Sequence, residues 1–278
     1  MTYFGFLAVF LVIPILLLWG LARRDARHGV LPPPVMRSWP SWMIVLAHVI
    51  IAVVYTTPWD NYLVATRVWW YNPDLVTGVV IWYVPIEEYT FFILQPLLTG
   101  AWLYLMARHL RLSVSDVPLS NRHNIRRTAT AFVFLIWVGF LVLLVSGWQP
   151  GTYMGLLMVW ALPPVMIQTA FGADILWKNR RLIALTVIPM TLYLAAADKL
   201  AITSGTWTIN PEQSLGINLL GRLPIEELVF FFMTNLLIGL GITLVSSVES
   251  RARAEGYVRA IKAMLSRGQN HSALIEKS

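Results

Sequence analysis

The feature that most constrains this chain is a recurrence of apolar runs about twenty residues long, each able to cross roughly 30 Å of hydrocarbon as an α-helix. Read as uninterrupted runs, they cover 3–21, 41–64, 78–106, 128–147, 153–171, 182–202 and 219–246. Inside hydrocarbon a segment must satisfy its own backbone N–H and C=O groups, so such a chain is expected to be all-α, a polytopic membrane protein of about seven spans. Composition agrees: 57% apolar residues, 13% charged and a mean hydropathy of +0.64 over 278 residues fall outside the range of soluble domains. With no cysteine, disulfides, thiolate nucleophiles and zinc–thiolate sites are excluded.

A net charge of +7 would suggest nucleic acid in a soluble protein, but here the charge reports topology. Arg23, Arg24, Arg27 and Arg37 follow the first run, and Arg108, Arg111, Arg122, Arg126 and Arg127 the third. Lys178, Arg180 and Arg181 follow the fifth, and Arg251, Arg253, Arg259, Lys262, Arg267 and Lys277 occupy the tail. Of the 21 Lys and Arg, only Arg67, Lys199 and Arg222 lie elsewhere. With seven spans all four basic segments share one side, which the positive-inside rule makes cytoplasmic, placing the N-terminus outside and the C-terminus inside. The charged partner is then the anionic lipid surface and not nucleic acid. The first run lacks a basic leader and is expected to be retained. In the tail, Ala254, Tyr257, Val258, Ile261, Met264 and Leu265 recur at helical spacing, as in a helix on the inner surface; a solvated tail is the alternative.

Laid on itself at an offset of 138, the chain brings Tyr55 onto Tyr193, Asp60 onto Asp198, Trp69 onto Trp207, Asn72 onto Asn210 and Pro73 onto Pro211. One inserted residue later, Pro85-Ile86-Glu87-Glu88 meets Pro224-Ile225-Glu226-Glu227, and the match continues through Phe91/Phe230, Phe92/Phe231 and Gly100/Gly239. Aligned acidic residues inside apolar runs mark two homologous halves. The expected organisation is 3+1+3: a three-helix repeat over 1–106, a basic cytoplasmic loop and linking helix over 107–150, a second repeat over 151–247, and a basic cytoplasmic tail over 248–278. The linking helix returns the chain, so the repeats are expected to be parallel about an axis near the membrane normal.

The glutamate pairs fall some eight residues inside the outer ends of runs three and seven, about 12 Å deep. An ionised side chain at mid-bilayer costs about 2.5–3.5 kcal/mol, so such residues are rarely idle. With Asp60 and Asp198 near the outer ends of runs two and six, six carboxylates are expected around one cavity in the outer half of the membrane. Adjacent carboxyls in low dielectric cannot all ionise, and a protonated acid beside a carboxylate is what proton transfer needs. Consecutive helical residues differ by about 100° in direction, so one of each glutamate pair faces the cavity. The other pairs elsewhere, as Glu226 with Arg222 one turn earlier. Pro85 and Pro224, read as one turn into their helices, predict a locally opened helix. Trp59, Trp69, Trp70, Tyr71, Trp82, Tyr83 and Trp207 are expected in the outer aromatic belt. Phe91, Phe92, Phe230 and Phe231, about a turn below the glutamates, pack or line the site, where ring faces can stabilise a cation.

No dinucleotide or phosphate-loop motif, magnesium-binding aspartate cluster or histidine constellation occurs, so neither cofactor nor metal is expected. A retinal-binding reading wants a Schiff-base lysine in the last span, which has none. Acid–base chemistry on an apolar substrate remains, with a proton-coupled transporter or channel as the alternative.

The doubled Pro-Ile-Glu-Glu, the preceding aspartates and the Trp-x-x-Asn-Pro stretches at 69–73 and 207–211 resemble the lycopene cyclase domain family. Its members are small membrane cyclases, heterodimeric in actinobacteria and fused in archaea, fungi and some other bacteria, with the signature P-x-E-[ED]. The resemblance spans nearly the whole chain and implies the fused form. It also implies redox-neutral ring closure at the acyclic ends of lycopene without a cofactor, giving β-rings and β-carotene via γ-carotene; a C50 carotenoid or other polyisoprenoid is the alternative substrate. The setting it implies is the plasma membrane of a prokaryote, with the carotenoid, the bilayer and other carotenoid-pathway enzymes as partners. Carried onto this chain, Glu87 and Glu226 lead as acid or base, Glu88 and Glu227 follow, and Asp60 and Asp198 hold or relay protons. Pro85, Pro224, Asn72, Asn210 and the four phenylalanines support the site. Ring type, oligomeric state and the division of labour between the halves stay open.

Overall fold

The computed structural model describes the backbone of residues 1–110 and 119–275, and the side chains of 1–110 and 121–262. Arg111 and Lys277, and the side chains of Met264, Leu265 and Arg267, lie outside the described residues. Among the described residues the chain forms α1 (Tyr3–Arg27), α2 (Ser41–Ala65), α3 (Ile86–His109) and α4 (Leu119–Val145). These are followed by α5 (Thr152–Lys178), α6 (Arg180–Thr203), α7 (Ile225–Ser246) and α8 (Val248–Ile275). Seven helices, α1 to α7, are long and apolar enough to cross a membrane.

Helix α1 starts where the Thr2 side chain accepts a hydrogen bond from the Gly5 N–H at 3.2 Å. It widens into a π-helical stretch at Ala8–Val12, just before Pro14, which has no N–H to give. Helix α5 carries Pro163 and Pro164 and bends at Gly172 (φ −152°, ψ 28°). α2 packs on α3 and α6 on α7, while α3 also meets α6 and α7, and α2 meets α7. α4 packs on α5 at the periphery, exposing Phe132, Leu135, Val142 and Val145. The tail continues as α8, and Glu249 within it bonds to Arg122 (2.7 Å) and Lys178 (3.0 Å).

Short strands close the opposite end of the bundle. β1 (Trp69–Tyr71) is followed by the hairpin of β2 (Val80–Ile81) and β3 (Val84–Pro85). β4 (Trp207–Ile209) is followed by the hairpin of β5 (Asn218–Leu219) and β6 (Leu223–Pro224). β1 pairs antiparallel with β4, Trp69 opposite Ile209, Trp70 opposite Thr208 and Tyr71 opposite Trp207. The central pair, Trp70 and Thr208, is separated by 138 residues, so the ladder joins equivalent positions of the two halves. Asn72 N donates to Thr206 O (3.0 Å) and Asn210 N to Val68 O (2.8 Å), which are also equivalent. The left-handed turns required before the hairpins fall at Gly78 (φ +79°) and Gly216 (φ +72°), again in register.

These hairpins correct two expectations. Val79 to Trp82 and Leu219 to Leu220 read as membrane span, but positive φ at Trp82 (59°) and Leu220 (48°) folds them into turns. α3 and α7 therefore begin at Ile86 and Ile225, and the glutamate pairs sit in the first helical turn, not eight residues inside. Pro85 and Pro224 open no helix: each takes the extended N-cap conformation and ends a strand, where a missing N–H costs nothing.

Candidate active site

Beneath the strand pair lies a cavity of about 50 Å³. Its walls come from α1 (Tyr3, Phe6), β1 (Trp69, Tyr71), α3 (Glu88, Phe91), α5 (Tyr153), α6 (Asp198), β4 (Trp207, Ile209) and α7 (Glu227, Phe230, Phe231). Of the expected six carboxylates, Glu88, Asp198 and Glu227 line it. Both Tyr3 OH and Tyr71 OH (3.0 Å) donate to Glu88 Oε2. Tyr153 OH donates to Glu227 Oε1 at 2.8 Å. Trp207 Nε1 donates to Asp198 Oδ1 at 2.9 Å, while Asp198 Oδ2 is buried without a hydrogen-bond partner among the described residues. Asp198 shares the cavity wall with Glu88 and Glu227. Asp60 is buried and is not among the residues lining the cavity.

Only one glutamate of each pair faces the cavity, as the angular step of a helix requires, and it is the second. Glu87 Oε1 accepts the Thr77 N–H and Glu226 Oε1 the Leu215 N–H, each at 2.6 Å, tying the preceding loop to the helix start. Negative side chains in a first helical turn are favoured by the helix dipole. Among the described residues no ion pair joins Arg222 to Glu226: Glu226 Oε1 takes the Leu215 N–H, and Oε2 is buried without a hydrogen-bond partner among them. Glu87→Ala is expected to orphan the Thr77 N–H and cost about 1–3 kcal/mol, with Glu87→Gln restoring most of it; thermal melting in detergent measures both.

The remaining sequence candidates divide between lining and support. Asn72 Oδ1 and Asn210 Oδ1 accept the N–H groups of Asp74 and Glu212 at 3.0 Å, so both shape the loops and stand away from the cavity. Phe91, Phe230 and Phe231 line the site, whereas Phe92 packs behind, against Phe91 and Tyr89. Trp69, Tyr71 and Trp207 belong to the cavity and not to an outer belt, because the β1–β4 ladder folds them inward. Trp82 stays 72% exposed.

Tyr3 and Tyr153 are the residues that sequence reasoning missed. A signal existed: Thr2-Tyr3-x-Gly5-x-Leu7-x-Val9 and Thr152-Tyr153-x-Gly155-x-Leu157-x-Val159 match at an offset of 150. The offset falls to 149 by Asp25 and Asp174, and the π-helical widening at Ala8–Val12 accommodates the extra residue in α1. Chemically, the site holds three carboxylates able to pass protons in an apolar enclosure, walled by rings whose faces stabilise a cation.

The lycopene cyclase family profile matches residues 35–106 and 126–245, which include both glutamate pairs. A lycopene beta-cyclase of Halobacterium salinarum is 42% identical over 203 residues, covering 73% of this chain and 82% of that protein. Bifunctional lycopene cyclase/phytoene synthases of Sporisorium reilianum and Gibberella fujikuroi are 37% and 35% identical over 68% and 69% of this chain, but over 28% and 33% of their own length. No solved structure matches the chain. By the extent of these matches, this chain belongs to the lycopene cyclase family.

Proposed function

We propose that the chain is a lycopene β-cyclase working by acid–base catalysis in one cavity shared by its two halves. The observation that carries this reading is the pair Glu88, held by two tyrosine hydroxyls, and Glu227, held by one, on one ring-lined cavity. A protonated carboxyl adds its proton to the terminal double bond of an acyclic end, leaving a tertiary cation. The electron pair of the neighbouring internal double bond then closes a six-membered ring and moves the charge onto a ring carbon. A carboxylate removes an adjacent proton, and that C–H electron pair becomes the ring double bond. Substrate and product are isomers, so no oxidant or reductant is required. Phe91, Phe230, Phe231, Trp69 and Trp207 supply ring faces worth about 1–2 kcal/mol each to a desolvated cation. With one such cavity, the two ends of lycopene react in successive turnovers through γ-carotene.

In this reading residues 1–106 and 151–247 are parallel three-helix units whose two-fold axis passes through the Trp70–Thr208 pair. α4 returns the chain between them, and the basic tail 248–278 lies on the cytoplasmic side. The hairpin end, with the cavity, faces outward in the plasma membrane of a prokaryote. The equivalent hydrogen bonds of Asn72 and Asn210 and the one-sided placement of basic residues support this arrangement.

Expressed alone in a bacterium accumulating lycopene, the chain is expected to yield carotenoids of unchanged mass with the retention time and spectrum of β-rings. Unchanged lycopene, with the protein verified in the membrane, would overturn the reading. Proton flux through protein-containing liposomes lacking carotenoid would support the transporter alternative.

A further inference from the structure

The two halves hold their cavity glutamates differently. Tyr3 and Tyr153, the early tyrosines of α1 and α5, make equivalent contacts with Glu88 and Glu227. The second donor to Glu88, Tyr71, has no equivalent, because the position 138 residues later is Ile209, and both side chains line the cavity. Tyr3 and Tyr71 stack with ring centroids 6.0 Å apart and planes 20° from parallel, so their hydroxyls reach Glu88 Oε2 as one unit. A carboxylate only accepts hydrogen bonds, whereas a protonated carboxyl must also place its own O–H. Two phenols on one oxygen fix the carboxylate plane and leave Oε1 as the oxygen free to take a proton. At Glu227 one phenol bonds Oε1 and Ile209 offers no second donor, so fewer charge-assisted hydrogen bonds favour the carboxylate over the acid there than at Glu88.

We infer that Glu227 donates the proton that starts cyclisation, that Glu88 accepts the proton that ends it, and that Tyr71 is the positioning residue that aims Glu88 and so fixes where the ring double bond forms. This division rests on the cyclase reading above. Each turnover moves one proton from Glu227 to the terminal alkene carbon and one from a ring carbon to Glu88. Glu88 then gives its proton up and Glu227 regains one, so the enzyme resets and the carotenoid changes only its bonding. Of the protons adjacent to the ring cation, different choices produce β, ε or γ rings, and the aim of a single acceptor oxygen decides among them.

The test uses the full chain in liposomes loaded with lycopene, with turnover and ring types read by chromatography. Tyr71→Phe keeps the stacked ring and loses the hydroxyl; Tyr3→Phe removes the other donor. Both are expected to raise the share of minor ring types by up to about tenfold, the partitioning that loss of one charge-assisted hydrogen bond allows. Tyr153→Phe is expected to slow turnover and leave the ring ratio unchanged. A ratio unmoved in Tyr71→Phe and Tyr3→Phe, or one that moves in Tyr153→Phe, overturns the division while leaving the cyclase reading intact. No conversion by the unmodified chain overturns both.

Discussion

Glu88→Gln and Glu227→Gln are each expected to lower lycopene conversion at least about a hundredfold, the typical contribution of a positioned acid or base. Glutamine keeps the length of the side chain and an oxygen for Tyr71 or Tyr153 to bond, but neither gives nor takes the proton. Insertion and melting temperature should therefore change little. Glu87→Gln and Glu226→Gln are expected to stay within a few-fold of the unmodified rate, since their carboxylates serve the Thr77 and Leu215 amides. Initial rates in lycopene-loaded liposomes, normalised to folded protein, separate the pairs. If the Glu87 and Glu226 variants lost activity with unchanged melting while the Glu88 and Glu227 variants kept it, the acid and base roles would pass to the first glutamate of each pair.

The largest expected stability effect lies at the other end of the bundle. Arg253 of α8 grips Asp174 of α5 through both terminal guanidinium nitrogens, Nη1 to Oδ1 at 2.8 Å and Nη2 to Oδ2 at 2.6 Å, and also donates to Phe171 O at 2.7 Å. The Asp174 side chain is fully buried and that of Arg253 is 14% exposed. Asp174→Ala removes both charge-assisted bonds and leaves Arg253 the Phe171 carbonyl and the Glu249 carboxylate at 3.7 Å, at a cost of up to about 3 kcal/mol. Because these contacts tie α8 to the bundle, the loss appears as local opening, which raises protease cleavage in α8 roughly a hundredfold. Asp174→Leu combined with Arg253→Met should recover most of it, since an apolar pair of similar volume needs no compensation. Equal cleavage of the single and double variants would show that the tail docks by other contacts.

Seven spans, the doubled Pro-Ile-Glu-Glu and the family were legible because they depend on local properties: hydropathy over a span, and residues in register along one chain. The sequence also fixes the choice of one glutamate per pair, since consecutive helical residues point about 100° apart. Which glutamate turns inward is not local. It was decided by where α3 and α7 begin, and that depended on hairpins whose apolar residues are indistinguishable from membrane span by hydropathy. Tyr71 and Trp207 likewise carry the composition of an interfacial belt and become cavity walls only through the β1–β4 ladder between segments 138 residues apart. Asp174 and Arg253 are 79 residues apart, and nothing in their spacing pairs them until α8 folds back. The sequence alone therefore determined the membrane-spanning class, the match between its two halves and the presence of carboxylates next to apolar spans. Tertiary structure decided which carboxylates meet, and that Tyr71 faces Glu88 where Ile209 faces Glu227, because hydrogen bonds between distant segments depend on backbone placement that no local pattern records.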